Sequence, residues 1–263
     1  MPTFDTPNPI SAVLDVPWGR VRVSAGARRE TVVEVTPTDV SNAEDVDAAE
    51  RTHVELVNEQ LVVKAPKPPF RLGRKGGGSV DVTVQLPAGS NLHGTGQMTE
   101  FDCAGRLAEC RIKTHVGDIR IDEARTLSVK SGSGDVSVRE LDGSTVIKSA
   151  NGDTWVGIAG GDLHVGSANG SIAVDRARAS VGVKTAKGDV RLGGVERGTV
   201  ALETQVGDLE VGIPEGTSAW LDVRARAGQV RNALDAADAP EPGAETVEVR
   251  ARTSYGDVVI RRP

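Results

Sequence analysis

One aspartate recurs beside a glycine through the second half of the sequence, and carboxylates repeated in this way could bind calcium. The members of this acidic column are Asp118, Asp135, Asp153, Asp189, Asp208 and Asp257. Ca²⁺ takes roughly six to eight oxygen ligands, whereas each repeat supplies one aspartate, so we expect neither calcium nor any other cofactor. Aspartate in a turn commonly accepts hydrogen bonds from backbone N–H groups of that same turn, and we interpret the column in that way.

A second column of the repeat, four positions before the glycine, is basic. Its members are Lys113, Lys130, Lys148, Lys184, Arg224 and Arg252. A stripe of cations on a rigid face could dock an anionic partner, so these residues form our candidate interaction face. The alternative is a solvated face whose cations neutralise the nearby aspartates and discourage aggregation.

The other reactive side chains do not form a catalytic pattern. His115 and His164 occupy different positions of the repeat, so we expect no metal site. Cys103 and Cys110 fall at inward positions and are interpreted as buried, reduced thiols. The glycine-rich stretch 73–79 lacks the spacing of a phosphate-binding loop, and no Gly-x-Ser-x-Gly nucleophile motif occurs. We therefore predict no catalytic residues and no enzyme.

The glycines define the elements that must position both columns. They follow one another at intervals of 17 to 21 residues, with a last interval of 28, and are Gly117, Gly134, Gly152, Gly170, Gly188, Gly207, Gly228 and Gly256. Apolar residues alternate on both sides of each glycine, which is typical of short strands with one buried face. A further apolar position, seven residues after the glycine, indicates a third inward corner. Glycine suits the turn itself because a positive φ is needed there.

Two all-β architectures fit this pattern. An antiparallel meander would use Asn151-Gly152 and its equivalents as tight hairpin turns. A β-solenoid would stack each repeat as one coil on the next, and a near-constant period is what such stacking demands. We predict a β-solenoid of about eight coils of 17–21 residues.

The first third of the chain keeps the strand character but loses the period. We predict a β-rich capping region over 1–95 and the repeat region over 96–263, with a loop insertion at 232–246. A short helix is expected from Ser41 to Thr52, with Ser41 as its N-cap. A basic, Pro- and Gly-rich loop follows at 66–79. Further strands are predicted at Thr31–Val35, Gln60–Lys64 and Val80–Leu86.

Composition narrows the class of protein. The chain has 263 residues, a net charge of −6 and only 3% aromatic residues. No apolar run approaches the ~18 residues of a membrane span, so we expect no membrane insertion. The acidic balance argues against nucleic-acid binding. The N-terminal residues show no signal-peptide pattern, and two cysteines cannot build a disulfide framework, so the expected location is cytoplasmic.

The Gly-Asp strand repeat, the opening Gly19-Arg20-Val21-Arg22-Val23 and the segment from Thr246 to Thr253 resemble a bacterial family. This is the β-strand-repeat or "putative adhesin" family, domain-of-unknown-function family 4097, and the resemblance covers nearly the whole chain. It implies a β-solenoid-like fold. It implies no established activity and no catalytic residues.

These observations favour a non-enzymatic scaffold or protein-interaction solenoid. The last coil, Ser254–Ile260, has no obvious cap, so its edge could pair end to end with another molecule. We expect a protein partner or self-association. One alternative is a polysaccharide-active β-helix enzyme built on the aspartate and lysine columns. Another is a regulatory module that binds an anionic ligand.

Overall fold

The structure is a computed structural model that describes residues 1–67, 77–234 and 245–263. The chain forms two compact units, Met1–Gly134 and Asp135–Pro263. Most of the predicted basic loop (68–76) and of the predicted insertion (235–244) lies outside the described residues.

The described part of the first unit contains one helix and ten strands. In chain order they are β1 (Thr3–Asp5), β2 (Ser11–Asp15), β3 (Trp18–Gly26), β4 (Glu30–Pro37), α1 (Ala43–Glu50), β5 (His53–Val57), β6 (Gln60–Lys64), β7 (Val80–Pro87), β8 (Asn91–Thr95), β9 (Met98–Val116) and β10 (Ile119–Ser133). The three strands predicted for the first third of the chain correspond to β4, β6 and β7.

Parallel pairing dominates the first unit and gives way to antiparallel pairing among its earliest strands. β3 lies between β7 and β9, and β2 lies between β6 and β8, all in parallel register. β4 pairs antiparallel with β7, β1 pairs antiparallel with β4, and β5 pairs antiparallel with β6. The coil formed by β2 and β3 is therefore inside this stack, although it comes near the start of the sequence.

The N-cap of the helix lies one residue later than predicted. Asn42, not Ser41, is the N-cap, and its side chain accepts a hydrogen bond of 3.0 Å from the backbone N–H of Glu44. Ser41 is unavailable because its own N–H and hydroxyl both donate to Asp39 Oδ1. These two bonds lower the pKa of Asp39, because they stabilise its ionised form.

The described part of the second unit consists of thirteen strands. They are β11 (Val136–Leu141), β12 (Thr145–Asn151), β13 (Thr154–Ala159), β14 (Leu163–Asn169), β15 (Ile172–Ala177), β16 (Val181–Lys187), β17 (Val190–Val195), β18 (Gly198–Val206), β19 (Leu209–Gly212), β20 (Ser218–Ala227), β21 (Val230–Asn232), β22 (Thr246–Tyr255) and β23 (Val258–Arg261).

Equivalent residues of successive repeats pair in parallel, as a solenoid requires and a meander forbids. Leu163, Val181 and Val200 lie in register on β14, β16 and β18, and each is at most 1% exposed. The predicted third corner is also buried, at Ala159, Ala177 and Val195 on β13, β15 and β17. The fold is thus an all-β solenoid with one short helix, as predicted.

The order of coils in the second unit departs from the order of the sequence. β22 lies between β18 and β20, and β23 lies between β19 and β21. The expectation that Ser254–Ile260 forms an uncapped last coil is therefore wrong, because that coil is sandwiched by its neighbours. Among the strands described in this unit, β20 and β21 lie outside that coil, since β20 pairs only with β22 and β21 only with β23.

The helical residues in the described ranges are too few and too polar to form a membrane-spanning helix.

Candidate functional site

The turn glycines of the repeat have positive φ angles that residues with a side chain rarely adopt. Gly188 has φ +147°, and a Cβ built there would overlap the carbonyl oxygen of Gly170 in the preceding coil. The other turn glycines likewise have φ between +121° and +153°, and they are Gly117, Gly134, Gly152, Gly170, Gly207, Gly228 and Gly256.

The acidic column joins successive coils. The backbone N–H of Asp153 donates to Asp135 Oδ1 at 2.9 Å, and that of Asp208 donates to Asp189 Oδ1 at 2.9 Å. The interpretation that each aspartate bonds within its own turn is therefore wrong: the acceptor serves the next coil. The backbone N–H of Asp257 continues the column by donating to Asp208 Oδ1 at 2.7 Å. In the first unit, Asp118 forms an ion pair with Arg120 at 3.2 Å.

These hydrogen bonds between the aspartates of successive coils, which we call the aspartate ladder, offset the repulsion expected between stacked carboxylates. Each bond places a backbone N–H dipole against a negative oxygen, which is a charge-assisted hydrogen bond. The column is interrupted at Ser171, whose N–H donates to Asp153 Oδ1 but which carries no carboxylate. The aspartates thus act as structural acceptors between coils.

The basic column is divided between the two units. In the first unit Lys130 on β10 lies in register with Lys113 on β9. In the second unit the row runs Lys148, Gly166, Lys184, Glu203, Arg252 and Arg224 across β12, β14, β16, β18, β22 and β20. The structure therefore brings four of the six predicted residues onto one face of the second unit.

Three of the four cations in the second unit's row already pair with a carboxylate of the chain, two of them with one from a neighbouring coil. Lys184 Nζ lies 3.1 Å from Glu203 Oε2. Arg252 and Arg224 share Asp222, at 3.3 Å and 3.2 Å. Lys148 has no carboxylate within ion-pairing distance among the residues that the structure describes. The face thus binds carboxylates within the chain and leaves one lysine uncommitted.

A groove of about 720 Å³ lies on this face, over β12, β14, β16, β18 and β22. We call it the basic groove. Its floor includes Gly166, Gly182 and Ala201, and His164 stands in register with Gly182. The charged side chains along it are Lys148, Lys184, Glu203, Arg250 and Arg252. Four cations against one anion give the lining a positive charge.

The two floor glycines have no steric reason to be glycine. A Cβ at Gly166 would meet no atom within 4 Å, and one at Gly182 would only touch the His164 ring at 3.9 Å. By contrast, a Cβ at Gly193 would lie 2.5 Å from the carbonyl oxygen of Asp175. Glycine within a strand costs stability and often marks a close approach by a ligand or another backbone. The bare floor is the feature that sequence reasoning missed; its one signal in the sequence is that Gly166 takes the place of a cation in the basic column.

Trp155 and the two cysteines are not among the residues that line this groove. Trp155 points outward from β13, is 38% exposed and donates to Asp175 Oδ1 at 3.3 Å. Cys103 and Cys110 are unpaired and buried in the first unit. A hydrogen bond with Cys110, together with burial, raises the pKa of the Cys103 thiol well above its ordinary value, so it is an inert group.

The fold and the site define this protein as a β-solenoid. Its aspartates form hydrogen bonds between coils, and one face carries a basic groove. The family model described as Toastrack DUF4097 matches residues 20–262. The chain belongs to this family.

Among solved structures, the chain is similar to a "putative adhesin" of Bacteroides fragilis, with 12% identity, 100% of this chain and 95% of that chain covered, and a TM-score of 0.46. It is also similar to one from Parabacteroides distasonis, with 10% identity, 98% and 95% coverage and a TM-score of 0.41. A search of curated proteins found no match. Membership of the family rests on the family model alone.

Proposed function

We propose that this protein is a non-enzymatic binding module that holds an extended acidic segment of a partner protein in the basic groove. The observation that carries the proposal is the floor of Gly166 and Gly182, which carries no side chain although a side chain would meet no steric obstacle there. A side chain there would keep a partner's backbone away from the sheet.

The charges support an acidic partner. Lys148 and Lys184 lie two coils apart, which is about 10 Å at the usual strand spacing. Gly166 lies between them in the same row. An anionic group above that glycine therefore meets a cation on each side, and Lys148 is available without breaking an existing ion pair among the described residues.

The chemistry favours carboxylates of a polypeptide over an anionic glycan. The cations of this face already pair with Glu203 and Asp222 of the chain itself, so carboxylate is the group that they demonstrably fit. Tryptophan, tyrosine and phenylalanine, on which sugar rings stack, are absent from the residues described as lining the groove.

A structural role for the aspartates supports a binding module rather than a hydrolase. A β-helix hydrolase would need a pair of free carboxylates in its groove. Asp135, Asp189 and Asp208 instead each accept a backbone N–H from the next coil.

The test is fluorescence anisotropy with a labelled oligoglutamate peptide as probe. We expect saturable binding that weakens with salt, since exposed charges are screened. An exposed ion pair is worth about 0.2–1 kcal/mol, and charge reversal replaces attraction by repulsion. The double variant Lys148→Glu/Lys184→Glu should therefore lose affinity by about tenfold. Gly166→Leu should also weaken binding by filling the floor.

Lys187→Glu is the matched control, because it makes the same charge change on β16 outside the groove lining. Equal losses for the control and for a single lysine of the groove would mean that only net charge matters, and the proposal would fail. Tighter binding of oligogalacturonate than of oligoglutamate would overturn the choice of partner.

A further inference from the structure

The outermost described strand of the second unit has an unpaired edge. β20 pairs with β22 along Ser218–Ala227, and no other strand described in this unit pairs with it. It is ten residues long and contains neither lysine nor proline. Natural sheets protect exposed edges with charged side chains, proline, bulges or very short strands. β20 carries three charged side chains, Asp222, Arg224 and Arg226, but it is a long strand without proline.

The backbone of β20 offers a regular set of hydrogen-bonding groups along this edge. The N–H of Ser218 donates to the carbonyl of Glu245 at 3.0 Å. In a parallel pair the bonding direction alternates from residue to residue. The N–H and C=O groups of Ala219, Leu221, Val223 and Ala225 therefore point away from β22.

The apolar side chains of β20 are also less covered than their equivalents. Val249 and Ala251 on β22 are fully buried, whereas Leu221 and Val223, which lie in register with them, are only half-buried. Trp220 is 59% exposed, and Val230 on β21 is 44% exposed. One further coil against this edge would complete the burial.

We propose that the occupant is a second copy of this chain, with the two β20 strands paired antiparallel about a two-fold axis at Val223. This register sets Asp222 opposite Arg224 of the second copy, and Trp220 opposite its Arg226. By symmetry each pairing occurs twice. It also sets Leu221 opposite the second copy's Ala225 on the core side.

Charge selects this register over its neighbours. A two-fold axis at Asp222 would place two aspartates opposite each other, and one at Arg224 would place two arginines opposite each other. Like charges directly opposite destabilise a sheet, while opposite charges and cation–aromatic pairs stabilise it. Only the axis at Val223 satisfies the aspartate, both arginines and the tryptophan of β20 together.

The geometry of the edge suits this axis. Because the polar groups of Val223 point outward, the two Val223 residues would form a hydrogen-bonded pair. Asp222 and Arg224 then fall at non-hydrogen-bonded positions, where opposite side chains approach most closely. A two-fold interface of this kind is closed, so it gives a dimer rather than a filament.

The dimer does not depend on the proposed function. The residues that line the basic groove come from β12, β14, β16, β18 and β22 and none from β20. Loss of peptide binding with an intact dimer, or the reverse, would separate the two proposals.

The test is the mass of the full chain by light scattering and analytical ultracentrifugation, from micromolar to near-millimolar protein at low and high salt. We expect 27.5 kDa monomers to associate into particles of twice that mass as concentration rises, and less readily in high salt. Arg224→Asp should abolish association, because it sets carboxylates opposite Asp222. The double variant Asp222→Arg/Arg224→Asp should restore it, since the exchanged charges are again complementary.

Val223→Pro provides a variant independent of charge. It removes an N–H that points outward, so it costs no bond within the chain, and it should leave only monomers. Lys187→Glu should dimerise like the wild type, and circular dichroism should show native strand content in every variant.

Three results would overturn the proposal. One is a dimer that survives both Arg224→Asp and Val223→Pro. Another is a monomer at all concentrations with fast hydrogen exchange along β20. The third is a monomer whose Leu221 and Val223 amides are protected, because residues of the same chain would then cover the edge.

Discussion

Asp257 Oδ1 accepts a hydrogen bond of 2.9 Å from the backbone N–H of Gln229, which precedes it by 28 residues. In the other hydrogen bonds to this aspartate column, the backbone N–H of the later residue donates to the earlier carboxylate, as Asp208 does to Asp189. The reversal at Gln229 marks the place where the C-terminal coil is inserted into the stack. Of the two residues joined by this bond, Asp257 has the carboxylate, and its coil is the one with a neighbouring coil on each side.

The aspartate ladder predicts that substitutions of Asp257 and Gln229 lower the free energy of unfolding by different amounts. Asp257→Ala should destabilise the protein by about 0.5–1.5 kcal/mol, because the N–H of Gln229 loses its acceptor. Gln229→Ala should cost less, since no described coil lies beyond it to use its side chain. Urea unfolding checks both values. Equal costs would show that Asp257 does not act through this bond.

The glycines of the second unit predict opposite effects of the same substitution. Gly166→Ala and Gly182→Ala should each stabilise the fold by about 0.5–1 kcal/mol, because alanine loses less backbone entropy and meets no clash. Gly188→Ala should destabilise it by at least about 1–3 kcal/mol, because φ is +147°. The change in the free energy of unfolding of each variant is measured from its denaturant midpoint, provided that the m-value stays constant. A destabilising Gly182→Ala would reveal a packing role for that glycine and remove the argument for the groove.

The coil order predicts the pattern of hydrogen exchange. Amides of β22 should exchange more than about tenfold more slowly than those of β20, although β22 lies nearer to the C-terminus, because edge strands open with little free energy. The experiment is native-state exchange read by mass spectrometry at a dilution where the chain is monomeric. Slower exchange in β20 than in β22 would mean that the coils stack in sequence order.

The charges around Asp222 predict that the stability of the folded state decreases at acidic pH. Hydrogen bonding from Arg252 holds the pKa of Asp222 below its ordinary value, and the charge of Arg224 acts in the same direction. Arg250 faces Asp222 in register on β22. Because the folded-state pKa is depressed, this stabilisation is present above the unfolded value of about 3.9 and is lost as pH falls through the folded-state pKa.

Carbon-detected NMR titration of Asp222 gives the measurement. Arg252→Ala should raise the pKa of Asp222 toward its ordinary value, whereas Lys187→Glu should leave it unchanged. A pKa of Asp222 that does not move in Arg252→Ala would exclude that arginine as the cause.

Much of the fold could be predicted from the sequence because a solenoid repeats its local rules. Alternation around Gly152 or Gly188 predicts two strands and a turn without knowledge of the rest of the chain. The near-constant interval then predicts parallel stacking, because equivalent residues such as Leu163 and Val181 must meet. Both features depend on short-range periodicity, which a linear sequence displays directly.

The order of the coils could not be predicted in the same way. Each coil presents nearly the same row of β-branched and leucine side chains, so several orders bury the same surface. Two weak signals were present: Gln229 replaces the aspartate, and Asn232 occupies an apolar position. Both fit an outermost coil, which needs neither an acceptor nor a buried side chain on its open side.

The sequence by itself determined the strands, the turns and the two charged columns, since these follow from period and residue type. Only the tertiary structure decided which charges pair, because Glu203 and Asp222 reach their cations from different coils. It also decided that Gly166 and Gly182 form a bare floor, and that β20 rather than the C-terminal coil has the open edge. The physical reason is that contacts between coils depend on stacking order, and chemically similar coils leave that order open until they pack.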